Sequence, residues 1–186
     1  MGSWGATDAN ESKPSFLTDA EKRNAYATTK GWVYPAAGND NAAADAEVLV
    51  AIGGLSGSTG INIADISSIS WDTTAWSRAA GGTLSVTVNY NEQVTVTGTP
   101  QLAVVNDSRA NHTLSYASGN NTNRLTFTLA IAANHTSLQA TDVLSIGANA
   151  VSLNGGTIKE KGTNVNATIT SVVGIGTGAG TLTAAA

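Results

Sequence analysis

The clearest signal along the chain is an alternation of apolar and polar positions with a period of two. Leu84, Val86, Val88 and Tyr90 alternate with Ser85, Thr87 and Asn89, which sets one face of a strand on a core and the other in water. Val94 and Val96 continue the pattern beside Thr95 and Thr97, and Leu114 and Tyr116 flank Ser115. Leu125, Phe127, Leu129 and Ile131 hold it over a longer run, and Ile66, Ile69 and Trp71 suggest an opening strand. Turn signals punctuate these runs: Gly81-Gly82, Gly98-Thr99-Pro100, Asn106-Asp107, Gly119-Asn120-Asn121 and Gly155-Gly156. No helical period of useful length interrupts them. The spacing predicts a mainly β fold, with about seven strands over residues 62–173, the strand number of an immunoglobulin-like β-sandwich.

The first part of the chain reads differently. Thr18-Asp19-Ala20-Glu21 has the form of a capping box, and predicts one short helix from about Asp19 to Thr29, ending at Gly31. At three turns it is too short to persist alone in water and needs a surface to lie against. Val48 to Ile52 reads as a further strand, closed by Gly53-Gly54. These signals divide the chain into an N-terminal arm or small subdomain (1–55), a Gly/Ser-rich joint (56–61), the β-sandwich (62–173) and a Gly/Ala/Thr-rich tail (174–186). For the tail, a closing strand and a frayed end both stay open.

Charge sharpens that division. The 186 residues include only 9 Lys+Arg and 13 Asp+Glu, for a net charge of −4. Half of the charged residues, and the aromatics Trp4, Phe16, Tyr26, Trp32 and Tyr34, fall before residue 48. An acidic balance without a Lys/Arg cluster argues against nucleic acid as a partner. No apolar run is long enough for a transmembrane helix, so no membrane partner is expected. The absence of Cys excludes disulfides and thiolate metal sites. Residues 1–16 show neither the basic nor the apolar segment of a secretory signal.

Candidate chemistry is sparse. His112 and His135 each stand in an Asn-His-Thr triplet beside an expected turn, without the spacing of a metal pair, and read as exposed loop residues. Asp107 and Asp142 are the candidates for a calcium contact at loops, yet no DxDxDG-type loop is present. Gly174-Ile175-Gly176-Thr177-Gly178 lacks the Lys and the strand-to-helix context of a phosphate loop, and reads as a flexible or bulged strand. Of Trp71 and Trp76, one is expected in the core and the other at a sheet edge; an exposed sugar-stacking platform is the alternative. The residues predict no enzyme, no cofactor and no metal site.

Three ordered blocks carry a resemblance. Gly82 to Leu102 (GTLSVTVNYNEQVTVTGTPQL), Tyr116 to Phe127 (YASGNNTNRLTF) and Leu153 to Lys159 (LNGGTIK, with Gly162-Thr163-Asn164 following) resemble a bacterial and phage immunoglobulin-like repeat. The resemblance covers about residues 64–172. It implies a seven-stranded sandwich used for display, adhesion or spacing, without a catalytic residue. Lys161 precedes Gly162 where family members often carry an Asp, so a family-type calcium contact is not implied there. The opening Ser3 to Asp8 (SWGATD), with Ser12 to Leu17 (SKPSFL) and Glu47 to Ile52 (EVLVAI), resembles virion proteins of marine tailed phages.

Together these resemblances imply a virion structural protein on the outer capsid surface, assembled in the host cytoplasm. The major capsid protein is then the expected partner, with self-association as a homo-oligomer and host surface glycans as further candidates. Trp4, Lys13, Pro14, Phe16, Tyr26, Trp32 and Tyr34 are the expected capsid-binding residues, since buried aromatics anchor interfaces. The competing reading is that the same aromatics fill a small N-terminal core. The alternatives for function are a tail or tail-fibre component, or a cell-surface adhesion or carbohydrate-binding module.

Overall fold

The structure is a computed structural model that describes residues 13–28, 30–34, 46–52 and 63–186. The joint at 56–61 and Trp4 lie outside the described residues. The chain is mainly β, and its strands form one large mixed sheet.

The capping box forms as the sequence predicts. The Thr18 hydroxyl accepts from the Glu21 amide at 3.3 Å, and Glu21 Oε2 accepts from the Thr18 amide at 2.8 Å. The helix, α1 (Asp19–Asn24), is only 6 residues long and ends at Ala25, short of the expected Thr29. The aromatic and β-branched stretch that follows enters a sheet instead, because its side chains fit a pleated half-buried surface better than a helical turn. It gives β1 (Tyr26–Thr28), which turns back into β2 (Gly31–Tyr34), with β3 (Glu47–Ala51) alongside. Gly31 is required at the turn: its φ is +128°, and a Cβ there would run into the Val50 carbonyl.

Residues 66–185 supply the larger body. Its strands are β4 (Ile66–Trp71), β5 (Trp76–Ser77), β6 (Gly82–Thr97), β7 (Gln101–Asn106), β8 (His112–Ser118), β9 (Thr122–Ile131), β10 (Val143–Ser145), β11 (Val151–Ser152), β12 (Thr157–Glu160) and β13 (Leu182–Ala185). Among the described residues, nine of these, β4 to β12, lie within 62–173, against the seven expected. The surplus comes from β5 and β11, two residues each, which are too short to show a period.

The two runs around Leu84 and Val94 form a single strand, β6, of 16 residues. Its first half lies between β4 and β9, its end pairs with β12, and its register shifts between Asn89 and Val94. At that shift Ala27 of β1 pairs in parallel with Glu92, so the N-terminal strands are hydrogen-bonded into the same sheet as the larger body. Leu84, Val86, Val88 and Tyr90 face the core as their alternation predicts. Thr87 and Asn89, expected in water, are buried as well, because β6 is flanked on both sides.

The main core gathers Trp76, Leu102, Leu114, Leu125, Phe127, Leu144 and Ile158 with those residues of β6. Trp76 is the core tryptophan and Trp71 is half-buried against it. A second, smaller cluster holds Ala27 and Trp32, with Val50 and Ile52 packed on it. The tail does finish a strand, β13, which runs antiparallel to β10 and parallel to β5. Before it, Val173–Thr177 forms a helical turn, α2, and not the bulged or flexible strand expected from the glycines. Gly176 makes that turn possible: a Cβ on it would strike the carbonyls of Ile146 and Gly147, so only glycine lets the two backbones approach.

Candidate functional site

The expected anchoring residues lie around α1 to β3. Lys13 is buried, with Nζ donating to the Lys22 carbonyl at 2.6 Å and standing 5.7 Å from the centroid of the Trp32 ring. A buried ammonium is tolerated there because a carbonyl and a π-face share its charge. Trp32 is fully enclosed, at 0% exposure. Tyr26 is buried too, and that burial pushes its phenol up despite a hydrogen bond with Gln93 of β6. Pro14 is buried and accepts from the Leu17 amide at 3.2 Å, which closes the turn leading into α1. Tyr34 is half-buried.

Phe16 stands apart from these. It is 65% exposed, on the turn held by Pro14. The structure therefore brings Lys13 and Trp32 together as interior of the N-terminal unit, and leaves Phe16, with Val48 of β3, as large apolar side chains in water. The period of the sequence could not separate the two roles, because the arm is too short to show which aromatic faces inward.

A second polar constellation joins the β7–β8 loop to β10. Asp142 is buried and accepts from Arg109 Nε at 3.1 Å, from Asn106 Nδ2 at 3.1 Å and from the Gln139 amide at 3.0 Å. Burial works to raise its carboxyl, but the Gln139 and Asn106 hydrogen bonds and the Arg109 charge outweigh it and hold the pKa below the usual carboxylate range. Asn106 Oδ1 accepts from the Ser108 and Arg109 amides, and Asp107 Oδ1 accepts from the Val143 amide at 3.0 Å. Both carboxylates put forward for calcium are thus engaged by protein donors.

His112 belongs to this cluster and corrects its expected place in an exposed loop. It opens β8, is buried, and lies 3.5 Å from Asn106 Nδ2. Burial lowers its pKa, the Asp142 charge works against that, and His135 adds to the lowering. Its parity was legible: His112 precedes Leu114 and Tyr116 at spacing two. His135 lies in a turn, where its Nδ1 accepts from the Ser137 amide at 3.1 Å. Chemically the cluster is a loop clamp, since Asp142 Oδ2 accepts from three donors at once. Among the described residues, no group of three His, Cys, Asp or Glu side chains could hold a metal ion, and no helix is long and apolar enough to cross a membrane.

Set against protein-family models, curated proteins and solved structures, the chain matches none. What the fold and its sites define is a mainly β protein with a small N-terminal strand unit hydrogen-bonded to a larger β body.

Proposed function

We propose that the chain is a non-enzymatic virion structural protein that decorates the outside of a phage capsid. In this reading the N-terminal unit meets the major capsid protein, and the larger body is an immunoglobulin-like domain displayed outward. The three blocks that resemble phage immunoglobulin-like repeats support it: they coincide with β6–β7, with the β8–β9 hairpin and with the turn into β12, in chain order. Phe16, exposed on the N-terminal unit, is the side chain suited to fill a capsid pocket. Lys13, Tyr26 and Trp32 then serve indirectly, by holding the unit in shape, and many copies on one shell add avidity.

The test is co-sedimentation of the full chain with empty capsids assembled from the major capsid protein of the same genome. Saturation at a stoichiometry fixed by the lattice, weakened at least tenfold by Phe16→Ser, is the expected result. Failure of the full chain to sediment with capsids would end the capsid reading and move the search to tail components.

A further inference from the structure

An open cleft of about 500 Å³ is bounded by β4, β6 and β9, by α2 and the residues after it, and by Asn24 of α1. Three polar side chains cross its floor in one row. Ser68 of β4 is registered against Asn89 of β6, and Asn89 against Arg124 of β9, so all three share a face of the sheet. Asn89 is 3% exposed and donates to Ser68 Oγ at 3.0 Å, but its Oδ1 finds no hydrogen-bond partner. Unspent hydrogen-bonding capacity of this kind is costly in an interior and is uncommon in folded proteins.

The charge of the cleft points the same way. Arg124 is exposed, and none of its neighbours among the described residues is a carboxylate that pairs with it. Among the described lining residues it is the charged one, beside serines, asparagines and Trp71. The α2 wall is lined by Gly174 and Ile175 of α2 and by Gly178 and Ala179 just after it, and the small residues let a ligand approach the backbone beside Ile175. A guanidinium that can grip a carboxylate through two parallel bonds, with hydroxyl and amide groups beside it on one face of the sheet, forms a set suited to a hydroxylated anion.

We propose that this cleft binds an acidic saccharide residue, one that carries a carboxylate on a polyhydroxylated ring. Arg124 takes the carboxylate, and Ser68, Ser70 and Asn89 take ring hydroxyls. This site does not depend on the capsid reading, because its proposed ligand contacts all lie in the larger body, although Asn24 of α1 borders the cleft.

The experiment is a titration of the full ¹⁵N-labelled chain, followed by backbone and side-chain amide cross-peaks, with sodium glucuronate, glucose and sodium acetate in parallel. Glucuronate is expected to shift the Asn89 side-chain amide and the Gly174 and Gly178 backbone amides saturably, at least tenfold more tightly than glucose or acetate. Arg124→Gln should weaken glucuronate at least tenfold while the remaining spectrum stays in place. Gly174→Leu, whose added side chain meets open space, should block the cleft and abolish the shifts. Equal binding of acetate would reduce the site to a carboxylate contact and overturn the proposal. So would equal binding of glucose, absence of saturable shifts, or glucuronate binding that both variants leave intact.

Discussion

Tyr116 of β8 meets Phe127 of β9 edge to face, with ring centroids 6.1 Å apart and planes inclined at 72°. The two residues are registered partners, so the contact is a cross-strand pair that locks the hairpin onto the core. Phe127 is at 0% exposure, among Leu114, Leu125 and Val86. Phe127→Ala should therefore cost about 3–5 kcal/mol in chemical denaturation, through lost burial and the cavity left behind. A loss under about 1 kcal/mol would contradict the core position of this residue.

Trp32 tests whether the N-terminal unit has a core of its own. Its cluster with Ala27, Val50 and Ile52 is separate from the main one, and the two bodies are joined by the short parallel pairing of Ala27 with Glu92 and by the Tyr26–Gln93 hydrogen bond. Trp32→Ala should unprotect amides of β1 to β3 in hydrogen exchange while β6 and β9 keep their protection near Phe127. Loss of protection throughout would show one cooperative unit.

Gly176 tests the close approach of α2 to the Ile146–Gly147 backbone. Gly176→Ala adds one methyl where there is backbone on the far side, and overpacking of that kind costs about 1–3 kcal/mol. The same change at Gly174, where a Cβ meets open space, should leave thermal stability nearly unchanged or raise it. The difference between the two melting temperatures is the measurement.

Acid should loosen the β7–β8 clamp in two stages. His112 has a folded-state pKa below its ordinary 6.5, so the unfolded chain binds more protons in the window beneath that value. Its contribution is present above about pH 6.5 and is lost as pH falls through the lowered folded value. Asp142, held below its ordinary 3.8, contributes above that value and loses its contribution only at stronger acidity. His112→Gln should flatten the dependence of the urea midpoint on pH between about 7.5 and 5, and Asp142→Asn should not. Parallel slopes in wild type and His112→Gln would show that His112 does not carry the first stage.

Much of the larger body was legible because an alternating strand writes its burial into every second residue. Leu84 to Tyr90 and Leu125 to Ile131 declared both their strands and their core faces in this way. Shorter elements could not: Trp76-Ser77 and Val151-Ser152 hold no full period, and only their pairing partners make them strands. The helix after Thr18 was visible at its start, where a cap is a local event, and misjudged at its end, where the sheet competes for Tyr26. His112 was misread from its neighbours in a polar triplet, although its parity with Leu114 placed it inside. The row Ser68, Asn89 and Arg124 was invisible for another reason. It spans three strands, and no sequence spacing joins residues that only register brings together.

The position of β13 bears on how the molecule assembles. Leu182–Ala185 sits between β10 and β5, and Ser77 Oγ reaches the Ala186 carbonyl across 109 positions of chain. Every hairpin of the body can form from neighbouring segments, but β5 stays without its partner until that distant stretch arrives. Contacts of such separation must meet the entropy of a long closure before they return any stability, and they slow the route to the native state. Trp76, pairing with Ala184, would thus be the last of the described tryptophans to leave water, and its emission would mark the moment at which the sheet is complete.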